Sequence, residues 1–240
     1  MNKLRFICAT RETRKGFFEK TLLGRTLKLF ESLPLIGLEL SAENTRGLPE
    51  VYNEAIDKSK SDPAILLFSH DDIQIPDIYL PNQVHAAMKH FDIAGVAGNT
   101  RRLPAQPSWY FSAFSNNRLV RDEITNLSGI VMHGNGFPEC KLSYYGRPGK
   151  SVKLLDGLLL ITKSDTLHKH ELRFDPLFKF HFYDMDLCRQ AESKNLIMGT
   201  WPITVIHGSA GDYTSTSWKE SYIKYLNKYG EHDVETNQSP

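Results

Sequence analysis

Two adjacent carboxylates follow a buried-looking apolar run in the first third of the chain. Residues 64–68 are apolar, and Ser69-His70-Asp71-Asp72 comes directly after them. Neighbouring carboxylates repel each other, which raises a pKa unless a cation or hydrogen-bond donors compensate. A hard divalent cation such as Mg²⁺ or Mn²⁺ takes oxygen ligands and is often shared with a diphosphate. The segment therefore indicates either a cation site or a turn in which one aspartate caps the next segment.

Two later segments also place polar groups at the ends of predicted elements. Residues 181–189 carry Asp184 and Asp186 at the start of a predicted helix, where the helix dipole favours an ionised carboxylate. An ordinary N-cap is the alternative interpretation of Asp184. Residues 203–211 form a predicted strand that ends in His207 and continues with small residues. A neutral imidazole there could complete a cation's ligand set, whereas an exposed histidine at a strand end is the simpler interpretation.

Hydrophobic periodicity predicts the elements that must position these groups. Strands and helices alternate over the first hundred residues, which predicts a parallel sheet with helices on its faces. The predicted strands are 4–9, 34–40, 64–68 and 93–98, and the predicted helices are 14–30, 48–58 and 80–89. Ligands of an open parallel sheet bind beyond the carboxyl ends of its strands. Residues 69–72 are therefore expected to face the ligand crevice.

The remainder of the chain predicts shorter strands and two further helices. Predicted strands lie at 108–114, 119–121, 129–133, 151–162, 196–199 and 203–207, and predicted helices lie at 181–193 and 215–229. No internal repeat or clear linker interrupts this order. A single α/β domain with a mostly parallel central sheet flanked by helices is the economical interpretation.

Composition excludes several classes of protein. Of 240 residues, 29 are Lys or Arg and 28 are Asp or Glu, so the net charge of +1 creates no global field that favours nucleic acid. Cys8, Cys140 and Cys188 are widely spaced and odd in number, which argues against a disulfide framework and fits a reducing cytosol. No window supplies the roughly 18 apolar residues of a membrane helix. The basic, aromatic stretch 14–25 could touch a membrane surface, but an amphipathic helix packed on the sheet is favoured.

Taken together, these segments resemble family 2-type glycosyltransferases of the GT-A fold. The nearest likeness is to the bacterial subgroup typified by the StrF-like domain of streptomycin biosynthesis, in which a strand leads into Phe-x-His-x-Asp. Phe68-Ser69-His70-Asp71-Asp72 matches that pattern. Asp72 thereby takes the place of the family's metal-binding aspartate, whereas Asp71 falls where the subgroup often has a neutral residue. The resemblance runs from about residue 4 to residue 229.

Three downstream segments extend the resemblance. Residues 155–161 resemble the family's Asp-Gly strand, near which donor and acceptor meet. Residues 182–187 resemble its Glu-Asp-x-Asp-Leu segment, with Tyr183 in place of the usual Glu, and residues 207–211 resemble its terminal His-x-Ser-x-Gly. The resemblance implies Asp184 as the catalytic base, with Asp156 in reserve. It also implies that Asp72 and His207 hold a Mn²⁺ or Mg²⁺ ion.

The activity implied by the resemblance is hexosyl transfer from a nucleoside diphosphate sugar to an acceptor hydroxyl, with inversion at the anomeric carbon. Residues 1–100 would bind the donor, residues 101–230 would carry the acceptor and catalytic groups, and residues 231–240 would form a disordered tail. The donor contacts expected in the first half are Thr10, Arg11, Glu43 and Asp71. The acceptor would be a glycan or a lipid-linked sugar, in a cytoplasmic setting or at the inner face of the membrane, in bacterial surface polysaccharide or secondary metabolite synthesis.

Two other functions remain open on the sequence. A metal-dependent nucleotidyltransferase shares the alternating architecture and acidic metal site, but residues 8–12 lack the Gly-rich, basic phosphate loop expected after its first strand. A GT-A protein that binds a sugar nucleotide or glycan without turnover is the second alternative. Tyr183 stands where the resembling family has a Glu, so the acid next to Asp184 is lost. This difference keeps the second alternative open.

Overall fold

The computed structural model describes residues 2–116, 118–209 and 211–231. In its first hundred residues the order is β1 (Leu4–Ala9), α1 (Arg14–Lys20), α2 (Leu22–Leu29), β2 (Ile36–Ser41), α3 (Leu48–Lys58), β3 (Ile65–Ser69), β4 (Ile73–Gln74), α4 (Leu80–His90), β5 (Ile93–Gly95) and β6 (Ala97–Asn99). The predicted alternation of strands and helices is confirmed.

The second part of the chain is richer in short strands. Its elements are β7 (Phe111–Ser115), β8 (Arg118–Arg121), a 3₁₀ turn (Ile124–Asn126), β9 (Leu127–Gly134), β10 (Cys140–Gly146), β11 (Ser151–Val152), β12 (Leu154–Leu155), β13 (Leu159–Lys163), α5 (Ser164–Lys169), α6 (Tyr183–Ser193), β14 (Met198–Thr200), β15 (Ile206–His207) and α7 (Thr216–Tyr229). The strand predicted at 151–162 is three strands, and β10 was not predicted.

The central sheet has seven strands in the order β11-β14-β5-β13-β3-β1-β2. Strands β2, β1, β3, β5 and β14 run in one direction, and β13 and β11 run in the other. The predicted mostly parallel sheet is therefore confirmed. Strand β3 lies in the middle with every residue buried, because helices cover both faces, and this explains its uninterrupted apolar sequence.

A second sheet stands at the carboxyl ends of the first. It has the order β12-β6-β9-β15-β4, with β10 added on β9, and β7 and β8 form a separate hairpin. The single strand predicted at 93–98 is wrong for this reason: the chain leaves the central sheet after β5 and joins the second sheet as β6. The second sheet thus supplies a wall opposite the end of β3.

The single helix predicted at 14–30 is also wrong, since Thr21 divides it into α1 and α2. The Thr21 backbone N–H still bonds to the Phe17 carbonyl at the end of α1, while its side chain accepts the Gly24 N–H and caps α2. The side-chain bond offers the backbone an alternative to continuing the helix. A Cβ at Gly24 would lie 2.0 Å from the Phe17 carbonyl oxygen, so the two helices can meet this closely only at a glycine.

The end of the described chain packs against earlier parts of the fold. Glu231, at the start of the predicted disordered tail, is buried and accepts hydrogen bonds from Arg189 and from the Ala105 N–H. Residues 232–240 lie outside the described residues. No helix in the described part of the chain combines the length and the apolar character needed to cross a membrane.

Gly129 tests the close pairing of β6 and β9 within the second sheet. Its φ is +120°, and a Cβ there would lie 2.1 Å from the Val96 carbonyl oxygen. We expect Gly129→Ala to lower the free energy of unfolding by about 2 kcal/mol or more, because backbone strain and overpacking add. Denaturant unfolding of purified protein measures this.

Gly37 provides the matched control for that substitution. It lies in strand β2, where an added Cβ meets only the Leu4 carbonyl oxygen at 3.8 Å. Gly37→Ala is expected to change the free energy of unfolding by less than about 1 kcal/mol. Equal effects of the two substitutions would contradict the close approach of β6 and β9.

Candidate functional site

The central strand β3 ends at the crevice between the two sheets. His70, Asp71 and Asp72 follow it directly, and the antiparallel strand β13 lies alongside. This pairing brings the loop before β13 next to the end of β3, where the His70 N–H donates to the Leu158 carbonyl at 3.2 Å. The residues predicted to face the crevice therefore meet the Asp-Gly segment there.

His207 reaches the same place from the other end of the chain. Strand β15 pairs with β4, which follows Asp72, and the Gly208 N–H donates to the Asp72 carbonyl at 2.8 Å. The His207 Nε2 consequently lies 3.5 Å from Asp72 Oδ2. The predicted convergence of the third strand's acidic tip with the late histidine is thus present in the structure.

A third side chain joins this pair, and the sequence analysis did not assign it as a ligand. His70 Nδ1 lies 3.9 Å from Asp72 Oδ1, and one candidate ligand atom from each of His70, Asp72 and His207 falls within 4.8 Å of the others. The signal in the sequence was the His-x-Asp spacing directly after β3, and the turn at Asp71 and Asp72 brings the two side chains together. We refer to these three residues as the His-Asp-His cluster.

The chemistry of the cluster fits a divalent cation. Asp72 Oδ1 is buried without a hydrogen-bond partner among the described residues, which is a costly state for a carboxylate oxygen. Desolvation raises the pKa of Asp72, but the hydrogen bond and charge of His207 outweigh it and lower that pKa to about 2. Burial lowers the pKa of His70 and favours its neutral form. An ionised Asp72 beside a neutral His70 is the protonation state that ligation requires. Burial lowers the pKa of His207, but the hydrogen bond and charge of Asp72 outweigh it and raise that pKa, so a bound cation would have to displace the His207 proton.

Asp71 lies outside the cluster. Its Oδ2 accepts a hydrogen bond from the Thr10 hydroxyl at 2.6 Å, at the end of β1. The two neighbouring carboxylates are therefore compensated separately, one by a hydroxyl and the other by imidazoles. The adjacent charges at the strand end do not share a single site.

Asp184 and Asp156 stand together beside the cluster. The Asp184 carboxylate accepts the N–H groups of Gly157, at 3.0 Å, and of Met185, at 2.9 Å. Asp156 is held by the Trp109 indole N–H at 2.8 Å and by the Leu158 N–H at 3.0 Å. Desolvation of Asp184, aided by the nearby Asp156 charge, raises the pKa of Asp184 to about 7. A carboxyl with that pKa can exchange a proton near neutral pH.

These groups line a cavity of about 1340 Å³ whose walls are rich in aromatic rings. The His-Asp-His cluster, Asp156 and Asp184 all border it. Its aromatic lining comes from the middle of the chain and from the first turns of α6 and α7 with the segments before them. It comprises Trp109, Tyr110, Phe111, Tyr144, Tyr145, Phe180, Phe182, Tyr183, Tyr213 and Trp218. Trp109 is buried, whereas Tyr110 and Phe111 are half-buried and face the cavity.

A second cavity of about 1260 Å³ opens over the ends of β1 and β2. Thr10, Arg11, Glu43 and Asp71, the four residues predicted to contact the donor, all line it. Its other basic residues are Lys20, Arg25, Arg46 and Lys179, and its acidic residues are Glu12, Glu43, Asp71 and Asp72. Basic residues exceed acidic ones by one, and we call it the basic cavity. Asp71 and Asp72 border both cavities, so the aromatic cavity and the basic cavity meet at the end of β3, beside the His-Asp-His cluster.

Comparison with known proteins relates this architecture to other chains. A search of curated proteins found no match. Among solved structures, GalNAc-T7 with UDP, GalNAc and Mn²⁺ superposes with a TM-score of 0.51 at 10% identity, covering 95% of this chain and 48% of that one. A197 from STIV superposes with a TM-score of 0.46 at 10% identity, covering 84% of this chain and 82% of that one. The chain thus spans about half the length of the GalNAc-T7 chain.

At such low identity the structural likeness concerns the fold, and it confirms the predicted GT-A fold. The family assignment comes from a different comparison. A family model described as "Glycosyltransferase like family" matches residues 18–229, which is most of the sequence. This protein belongs to the glycosyltransferase-like family.

Proposed function

We propose that this chain is a metal-dependent inverting glycosyltransferase of hexosyltransferase type, which moves a sugar from a nucleoside diphosphate sugar to an acceptor hydroxyl. The observation that carries the proposal is the meeting of two unlike cavities at the end of β3, where Asp71 and Asp72 border both. A basic cavity suits an anionic donor and an aromatic cavity suits a sugar acceptor. The junction between them is where a group would be transferred.

The His-Asp-His cluster would hold the cation, with His70 added to the predicted ligands Asp72 and His207. A cation bound there would supply positive charge for the diphosphate that leaves the donor. Mn²⁺ is favoured over Mg²⁺, since Mg²⁺ prefers oxygen ligands and two of these three groups are imidazoles. The GalNAc-T7 structure, which shares the fold, contains Mn²⁺ and UDP.

The donor nucleotide would lie in the basic cavity. Thr10, Arg11 and Glu43 surround the ends of β1 and β2, where the base and ribose would bind. Arg25 and Lys179 line the same cavity and would face the phosphates. The sugar would then project past Asp72 into the aromatic cavity.

The acceptor would be a glycan or a lipid-linked sugar. Tyr110, Phe111 and Tyr213 line the aromatic cavity. The rings of Phe111 and Tyr213 meet edge to face, with their centroids 5.1 Å apart. Aromatic faces of this kind stack on the apolar faces of pyranose rings. Three finer points stay predictions: membership of the StrF-like subgroup, a role in bacterial surface polysaccharide or secondary metabolite synthesis, and a location in the cytoplasm or at the inner face of the membrane.

The reaction assigns one task to each carboxylate. The acceptor oxygen forms a bond to the anomeric carbon while the bond from that carbon to the diphosphate oxygen breaks, and the electron pair leaves with the nucleoside diphosphate. Asp184 takes the proton of the acceptor hydroxyl, because its pKa lies near neutrality. Asp156, fixed at both oxygens, orients the acceptor and the Gly157 loop.

Catalysis is favoured over the two alternatives. A binding protein without turnover has no need of a carboxyl with a pKa of about 7 beside a candidate cation cluster, and such perturbed groups are enriched at active sites. A nucleotidyltransferase would need a phosphate-binding loop after β1, and residues 10–12 instead bond to the turn after β2.

The cation site gives the first prediction about activity. Calorimetry should show that Mn²⁺ binds more tightly than Mg²⁺ and raises the affinity for UDP or GDP. Asp72→Asn should weaken Mn²⁺ binding by more than about 100-fold. Replacing a residue that supports a metal ligand typically costs about 10- to 100-fold in metal affinity, and replacing the ligand itself should cost more. Asp165→Asn, which changes an exposed carboxylate at the start of α5, is the control. Equal affinity for UDP or GDP with and without Mn²⁺ would contradict the cation site.

Asp184 gives the second prediction. Asp184→Asn should keep donor binding but lower kcat by about 10²- to 10⁴-fold, because the acceptor proton then has no base. The assay measures nucleoside diphosphate released from a panel of UDP- and GDP-sugars with Mn²⁺, including slow transfer to water. Normal turnover by the variant would reassign the base, and no release from any donor by the wild type would favour the binding-only alternative.

The pH profile gives the third prediction. Asp184 acts as a base only when ionised, and its pKa is raised to about 7, so kcat/KM should rise with pH through about 7 and level off above it. Asp184→Asn should lose this acid limb while keeping its residual rate. A profile that is flat from pH 5 to pH 8 in the wild type would show that another group takes the proton.

A further inference from the structure

His70 makes a second hydrogen bond on the side of its ring away from Asp72. Its Nε2 lies 2.9 Å from the Tyr183 hydroxyl, while its Nδ1 faces Asp72 Oδ1 at 3.9 Å. The Tyr183 hydroxyl in turn donates to the Gly157 carbonyl at 2.8 Å. Imidazole, phenol and peptide therefore form one chain of contacts that ends at the candidate cation site.

The protons in this chain can be placed by elimination. The Gly157 carbonyl has no proton to give, so the 2.8 Å contact uses the one proton of the Tyr183 hydroxyl. The Tyr183 oxygen must then accept from His70, whose Nε2 consequently carries the ring proton. The lone pair of neutral His70 is left on Nδ1, the nitrogen that faces Asp72.

The surrounding structure allows Tyr183 little freedom. Its ring is buried and packs edge-on against Tyr52 and tilted against Phe174, each with ring centroids 5.9 Å away. Gly157 permits the close approach, since a Cβ there would lie only 2.4 Å from the Tyr183 hydroxyl. The hydroxyl is thus held by packing as well as by its hydrogen bonds.

The Gly157 peptide also joins this chain to the proposed base. Its carbonyl accepts from Tyr183, and its N–H donates to the Asp184 carboxylate at 3.0 Å. Tyr183 and Asp184, the first two residues of α6, therefore bond to the carbonyl and the N–H of the same glycine. The two groups belong to the peptide units on either side of the Gly157 Cα, so a shift of this residue would move the support of His70 and the partner of Asp184 together.

We propose that Tyr183 is a positioning residue: it fixes His70 in the tautomer protonated at Nε2 and so presents Nδ1 to the cation. The inference rests on the cation site of the proposed function. Metal-bound histidines usually donate their other N–H to an outer partner, which sets the tautomer and the ring orientation. In this chain the outer partner of His70 is the buried Tyr183 hydroxyl, at the position where the resembling family has a Glu.

The test replaces Tyr183 with phenylalanine, which keeps the ring and removes the hydroxyl. In metal-free protein with ¹⁵N-labelled histidine, the wild-type His70 spectrum should show a proton on Nε2 alone, and Tyr183→Phe should show a mixture of tautomers. Calorimetry should show Mn²⁺ affinity falling by about 10- to 100-fold in the same variant. His70→Asn assigns the His70 signals.

Tyr222→Phe is the matched control. Tyr222 is also a buried tyrosine whose hydroxyl donates to a backbone carbonyl, that of Ala105 at 2.5 Å, and it does not line either cavity. This variant should lose comparable stability while leaving the His70 tautomer and the Mn²⁺ affinity unchanged. Thermal unfolding of both variants separates a loss of stability from a loss of positioning.

The outcomes distinguish this inference from the proposed function. Wild-type protein that binds no Mn²⁺ would overturn the cation site itself. If the wild type binds Mn²⁺ while Tyr183→Phe binds it equally well with an unchanged His70 tautomer, the positioning role is wrong. Should Tyr183→Phe fail to fold, the wild-type spectrum still decides, because a His70 proton on Nδ1 contradicts the inference.

Discussion

The concentration of negative charge at the end of β3 is the constraint on which the rest of the site depends. Asp71 and Asp72 are adjacent at the tip of a strand with no exposed residue, so the fold must supply compensation from elsewhere. Thr10 from the end of β1 bonds to Asp71, and His70 and His207 face Asp72. The carboxylates are separated in function because different elements compensate each of them.

The same low-polarity crevice gives its carboxyl groups opposite properties. Asp72, beside two imidazoles, has its pKa lowered to about 2, while Asp184, desolvated near Asp156, has its pKa raised to about 7. An acid that stays ionised is suited to hold a cation, and one that titrates near neutrality is suited to move a proton. Environment therefore assigns two tasks to chemically similar groups within one cavity.

The second sheet and the ends of β1 and β2 line two unlike cavities of the crevice. The ends of β1 and β2 form a basic cavity, and β9, β10 and the β7–β8 hairpin contribute to an aromatic one. Strand β15, which belongs to the second sheet, carries His207 to the place where the cavities meet. Residues 107–145 thus contribute much of the lining of the proposed acceptor side.

Local sequence signals determined much of the framework. Apolar runs and capping residues gave β1, α3, β3 and α7 nearly to the residue, since these elements are set by their own periodicity. The polar residues after β3 and at the end of β15 indicated Asp72 and His207, and these lie 3.5 Å apart. Their meeting itself comes from the antiparallel pairing of β15 with β4, the short strand that follows Asp72.

Other features depended on contacts that no local signal reports. The division between β5 and β6 arises where the chain changes sheets, and the unpredicted strand β10 exists because β9 offers it an edge. Which nitrogen of His70 faces Asp72 depends on Tyr183, more than a hundred residues away, and on the missing side chain of Gly157. The sequence by itself determined which chemical groups stand at the strand ends. The tertiary structure alone decided their orientations, because side-chain rotamers and proton positions are fixed by partners distant in the chain.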